Sequence, residues 1–189
     1  MPMIPIKPST LSISPGRGRL GVAVSHPGRL VYYGVKSLRQ FRSDAEIKNG
    51  LEKILVMLVT RYGISKLIIP DLNKQQRHSA SVTLIDSYIE QFAVRYQLTI
   101  QRYDPLAVRR TLCDGAKPTK AATSEKLAEL YPVLGRYCRG DSEWERRYYG
   151  YLFSSIAALR VFEFDKQISA TNGPPTNSPH QQHERIICT

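Results

Sequence analysis

Six basic side chains stand in two short segments that contain glycine, and the clustering of the second beside its glycine turn is suited to holding phosphate. The first is the turn Pro15-Gly16-Arg17-Gly18-Arg19. The second is Arg109-Arg110 followed, past Gly115, by Lys117 and Lys120. Glycine lets a backbone come close to a polyanion, and arginine and lysine neutralise phosphate charge. A solvated helix face would also account for the second segment, but its clustering beside a glycine turn favours phosphate contact. Six aromatic residues, Tyr32, Tyr33, Trp144, Tyr148, Tyr149 and Phe153, have faces on which bases can stack. Their helix and strand spacing assigns most of them to the core instead. His180 and His183 have helical metal-ligand spacing, yet they lie in a polar tail and read as accidental.

The overall charge agrees with the clusters. There are 27 Lys+Arg against 16 Asp+Glu, a formal net charge of +11. Such an excess selects a polyanionic partner, nucleic acid before membrane, because neither a basic amphipathic helix nor an apolar span is present. From Met1 to Ser43 there is no acidic residue, while Lys7, Arg17, Arg19, Arg29, Lys36, Arg39 and Arg42 all fall there. Cys113, Cys138 and Cys188 form an odd set without Cys-x-x-Cys spacing, so neither a disulfide framework nor a zinc site is indicated. With no signal-peptide core at the N-terminus, the reading is a reduced, cytoplasmic protein.

A length of 189 residues with 42% hydrophobic content suits one sizeable core. The organisation read from the sequence is a flexible lead over residues 1–9, one domain over 10–165 and a disordered tail over 166–189. The tail is dense in Pro, Asn, Ser, Thr and Gln. A hairpin is expected at Leu11–Val24, with a third strand at Leu30–Val35. Apolar residues at Ile47, Leu51, Ile54, Leu55, Leu58 and Val59 predict a helix over Asp44–Tyr62. Lys66–Ile69 and Leu98–Tyr103 read as strands, with a helix from about Gln75 to Tyr96 between them. Asp104 caps a short helix ending near Leu112, another helix covers about Thr119–Tyr131, and the capping box Ser142–Glu145 opens a last one to about Val161. The strands at Ile13, Ile68 and Ile100 are expected at the centre of the sheet. The fold class is α/β, a layered domain with a mixed five-stranded sheet and helices on both faces.

In order and spacing these segments resemble RuvC-type Holliday junction resolvases, nucleases of the ribonuclease H-like superfamily. The opening LSISPGRGRLGVAV at Leu11–Val24 is similar to their first hairpin. Val108–Lys120 resembles their basic helix, glycine turn and Thr-Lys, and Tyr131-Pro-Val-Leu134 and Trp144–Leu159 resemble their closing segments. The likeness covers most of Leu11–Val161. It implies DNA rather than RNA as partner, a homodimer, a role in DNA recombination or repair, and a lysine at Lys120 facing the nucleic-acid backbone.

The resemblance also implies magnesium, and there the chain departs from the pattern. Two-metal phosphodiester cleavage needs ions about 3.5–4 Å apart, anchored by anionic oxygens. The family takes its acids from the ends of the first and fourth strands and from the last helix. Those positions here are Ser14, Pro70 and Ser154, and Tyr151, where some members carry a further acid, supplies none. Asp71 is a substitute only if a bulge turns it inward, since neighbouring strand residues face opposite ways. Asp104 reads as an N-cap, while Glu163 and Asp165 read as exposed. Three functions follow from these readings: a RuvC-like pseudo-nuclease that binds nucleic acid, an active magnesium endodeoxyribonuclease with shifted acids such as Asp71, or a protein-interaction scaffold.

Overall fold

In the computed structural model, which describes residues 8–114, 117–138 and 142–171 (backbone alone at 74, 75 and 164–171), the first strand, β1 (Ser9–Gly16), is buried along its whole length. Its alternation explains how. Leu11 and Ile13 enter one apolar layer, while Ser12, Ser14 and Gly16 turn small groups to the opposite face. The antiparallel strand β2 (Arg19–His26) repeats the pattern. Leu20, Val22 and Val24 join the layer of Leu11 and Ile13, whereas Gly21 and Ala23 stand beside Ser14 and Ser12. β3 (Arg29–Ser37) completes the meander. β4 (Ile64–Pro70) runs parallel to β1, and β5 (Thr99–Tyr103) runs parallel to β4. The result is a mixed five-stranded sheet in the order β3-β2-β1-β4-β5. Ile13 and Ile68 therefore lie on inner strands. Ile100, expected at the centre, lies on the edge strand β5, because among the described residues only helices follow β5.

The large-residue face carries α1 (Asp44–Tyr62) and α3 (Ala80–Arg95). They deliver Leu51, Leu55 and Leu58, and Ile85, Ile89 and Phe92, to the first core. The Ser43 side chain accepts the Glu46 N–H to cap α1, and Gly63 closes it in the left-handed conformation at φ 59°. The single helix expected over Gln75–Tyr96 is broken: α2 (Lys74–Arg77) is separate from α3. Ser79 interrupts it with an extended backbone at φ −93° and ψ 106°, as serine does when it begins a helix.

The small-residue face carries the rest of the chain. α4 (Pro105–Cys113) starts where the Asp104 carboxylate accepts the Leu106 and Ala107 N–H groups, so Asp104 is a cap as expected. α5 (Lys120–Leu130) is capped by Thr119. A 3-10 turn at Pro132–Leu134 and the short α6 (Gly135–Cys138) follow, neither of them anticipated. Ser142 and Glu145 form the expected capping box at the start of α7 (Glu143–Thr171). That helix continues ten residues beyond Val161 and into the stretch read as tail, since no Gly or Pro interrupts it before Gly173-Pro174. Its Leu152, Phe153 and Ile156 join Ala23, Ile68, Val108 and Leu127 in a second core. His180, His183 and Cys188 lie outside the described residues. Cys113 and Cys138 are free thiols. Among the described residues no helix is long and apolar enough to cross a membrane.

α7 lies directly on the sheet because the residues beneath it are small. A Cβ at Gly21 would overlap the Tyr151 carbonyl group, and one at Gly16 would overlap the Tyr151 ring. Gly21→Ala should therefore lower unfolding free energy by about 1–3 kcal/mol, seen as a lower urea midpoint. Gly150→Ala, a helical position with open space at its Cα, should raise stability by about 0.5–1 kcal/mol.

Candidate functional site

The first candidate site is where α7 crosses β1 and β2. Ser14 pairs with Gly21, and Gly21 lies against the Tyr151–Leu152 backbone, so Ser14 sits beneath the turn of α7 that carries Tyr151. Ser154 is one turn further along, about 4.5 Å of helix rise. β1 and β4 pair as far as Ser12 with Ile68. Beyond that pair, strand alternation puts Ser14 and Pro70, the last residue of β4, on the same face as Ser12 and Ile68, the face on which α7 packs. Ser14, Pro70, Tyr151 and Ser154 thus gather on the α7 side of the sheet.

What gathers there is unsuited to magnesium. Ser14 is 5% exposed and brings a neutral hydroxyl. The Ser154 hydroxyl donates to the Gly150 carbonyl at 2.8 Å, closing a bond within its own helix. Pro70 has no ligating atom, and the Tyr151 ring covers Gly16, two residues on from Ser14 on the same face. Magnesium depends on carboxylates to offset the loss of its tightly held water. These four side chains do not fit the ion.

Asp71 does not repair the set. It follows Leu67 and Ile69 in strand alternation and therefore belongs to the α3 side, opposite Ser14. There it lines an open groove of about 430 Å³ with Arg77, Thr83, Asp86, Glu90 and Arg102. The Asp71 N–H donates to the Tyr103 carbonyl at 2.7 Å, which continues the ladder in place of a bulge. Arg102 in that groove bonds both Asp86 and Glu90 at 2.8 Å. Burial works against its charge, but the two carboxylates outweigh burial and hold the guanidinium above its ordinary pKa. Glu163, expected at the surface, is only 15% exposed and stands near Arg160 at 3.9 Å, because α7 continues past it against α4 and α5. Burial, and then the Glu163 charge, push the Tyr131 phenol up. The side chain of Asp165 lies outside the described residues. Among the described residues no group of three His, Cys, Asp or Glu is placed to share a metal ion.

The second candidate site is the basic surface. Arg17 is exposed at the tip of the β1–β2 turn, whose Gly18 takes φ 64°. Arg110, Lys117 and Lys120 are exposed along α4, the segment after it and the start of α5. Both helices pack on α7, so these cations share its side of the sheet. Arg109 is half-buried, with Nε donating to the Pro105 carbonyl at 3.1 Å. Arg19 behaves differently from the rest. It is 6% exposed, and its guanidinium lies 4.9 Å from the Tyr148 ring centre and 5.6 Å from that of Trp144. The charge count treated Arg17 and Arg19 as equals, yet one reaches solvent and the other fastens α7 to the sheet. The i, i+4 spacing of Trp144 and Tyr148 was the signal available for that stack.

No protein-family model and no curated protein matches the sequence. Solved structures do match the fold. The chain superposes on Thermus thermophilus RuvC in complex with a Holliday junction substrate with a TM-score of 0.63 at 15% identity, covering 84% of this chain and 96% of that one. A second structure of T. thermophilus RuvC gives 0.58 at 15% identity over 82% and 97%. The yeast mitochondrial Holliday junction resolvase Ydc2 gives 0.53 at 9% identity over 87% of each chain. The domain therefore has the RuvC type of ribonuclease H-like fold.

The contrast between the two turn arginines is measurable. Arg19→Ala, which strips a buried cation from two rings, should lower stability by about 1–3 kcal/mol, while Arg17→Ala should stay within about 0.5 kcal/mol of the parent. Chemical denaturation of the two variants side by side checks this.

Proposed function

We propose that this protein uses the RuvC fold to bind nucleic acid, DNA before RNA, and does not cleave it by a two-metal mechanism. The observation that carries the reading is the composition of the cleft beneath α7. Ser14 and Pro70 lie on the face of the sheet that α7 covers, Tyr151 and Ser154 lie on that helix, none of the four carries a carboxylate, and the Tyr151 ring packs on Gly16. Loss of those acids favours binding without metal. A cleft lined with carboxylates repels phosphate unless cations neutralise it, whereas a neutral cleft leaves the surrounding arginine and lysine charge unopposed.

Arg17, Arg110, Lys117 and Lys120 supply the contacts, since each is exposed, the last three on the α7 side of the sheet and Arg17 at the tip of the β1–β2 turn. Lys117 and Lys120 flank Thr119, the cap of an eleven-residue helix, where the helix dipole adds to their charge. Arg109 and Arg19 contribute field more than contact, the first being half-buried and the second buried. The likeness to a junction-bound resolvase supports a four-way junction as the first substrate to try, and a homodimer as the first assembly to look for. The shifted-acid nuclease is the weaker reading because Asp71 sits on the opposite face of the sheet. A pure scaffold leaves the exposed cations without a purpose.

The experiment scores binding and cleavage separately. Labelled four-way junction, duplex and single strand are each incubated with the protein, with magnesium or manganese and without. Binding is expected in both conditions, with no cleavage in either. Affinity should fall steeply with salt, and each phosphate contact removed by Arg17→Ala, Arg110→Ala, Lys117→Ala or Lys120→Ala should flatten the log–log slope by about 0.9 on duplex DNA. Metal-dependent cleavage abolished by Asp71→Ala would establish the nuclease reading, and absence of binding at low salt would establish the scaffold.

A further inference from the structure

We infer that Trp144 is a stacking platform for an unpaired nucleobase, so that the bound nucleic acid presents single-stranded or unstacked bases at the start of α7. The inference rests on the nucleic-acid-binding reading and adds to it the state of the strand. Five of the six candidate aromatics are buried or half-buried; Trp144 is the exception, at 56% exposure.

The exposed indole is nevertheless held in place. Its ring stacks on Tyr148 with centroids 5.1 Å apart and planes 21° from parallel. Tyr148 stands edge-on to Tyr149, which packs on Tyr137 at 4.8 Å. Tyr137 in turn meets Tyr33 of β3 edge-on. Trp144 is thus the solvent end of a ladder of rings anchored in the sheet. A ring fixed in this way loses little further freedom when a base stacks on it, which is what a stacking site requires.

Its surroundings select an anionic ligand over a protein. The Arg19 guanidinium lies against both Trp144 and Tyr148 while only 6% exposed, and among the described residues no carboxylate forms an ion pair with it. Arg17 is exposed two residues away. Among the described residues, the acids beside Trp144 are already engaged: Glu143 pairs with Arg147, and Glu145 accepts from Ser142. Ser142, Glu143, Arg146 and Arg147 around the indole are exposed and polar, so among the described residues there is no contiguous apolar patch for a protein to bury. A flat ring, a positive field and a polar rim together fit a base with its phosphate.

Trp144 is the single tryptophan of the chain, so intrinsic fluorescence reports on this position alone. The parent is titrated with a short oligothymidylate and with an abasic strand of equal length, while anisotropy of a label on each strand records binding independently. Oligothymidylate should bind and quench Trp144 emission. The abasic strand, with the same phosphates, should bind with little quenching. Trp144→Ala should weaken oligothymidylate binding at least about fivefold without changing abasic affinity, and Trp144→Phe should retain most of the parent affinity. Equal quenching by both strands, or unchanged oligothymidylate affinity in Trp144→Ala, would overturn the stacking inference and leave nucleic-acid binding standing. Failure of both strands to bind at low salt, with duplex and junction also unbound, would overturn both.

Discussion

The seating of α7 on a floor of small residues is the contact on which the rest of this molecule depends. Gly16 and Gly21 leave no room for a side chain between sheet and helix, and Ser12, Ser14 and Ala23 extend that floor along β1 and β2. A helix that lies this low buries Leu152, Phe153 and Ile156 in the second core and brings its own backbone against the strands. α4 and α5 then pack around it, which sets where Arg110 and Lys120 emerge. The same closeness lets the Tyr151 ring pack directly on Gly16.

Electrostatics divides the molecule into two unlike faces. On the α3 side, Arg102 pairs with Asp86 and Glu90 in a groove that Asp71 and Arg77 also line. On the α7 side, cations outnumber acids at the points that reach solvent, and the cleft between them is neutral. A polyanion there needs no metal to screen carboxylates, because Ser14, Pro70, Tyr151 and Ser154 present none.

The arginines of the β1–β2 turn show how one short segment serves two purposes. Gly18, in the left-handed conformation, reverses the chain so that Arg17 points outward. Arg19, already paired with Gly16 in the sheet, faces α7 and meets the rings of Trp144 and Tyr148. The buried cation orients the aromatic pair, and the exposed one remains available to a ligand.

Much of this was legible in the residues themselves. Periodicity placed α1, the cap at Asp104 and the box at Ser142–Glu145 were readable from local chemistry, and the order of strands and helices pointed to the ribonuclease H-like layering. The absence of carboxylates at Ser14, Pro70 and Ser154 is a property of the sequence alone. Other features depended on which residues meet across the sheet, and no local pattern encodes that. Strand alternation assigned Asp71 a face only once its neighbours Leu67 and Ile69 had found the first core. The break at Ser79 came from the backbone there turning extended, against a helical pattern that continues through it. Arg17 and Arg19 are indistinguishable as charges, and Trp144 and Phe153 as aromatics on one helix. Folding separated them, because burial is decided by the partner surface a side chain meets, and that surface comes from segments more than a hundred residues away in the chain.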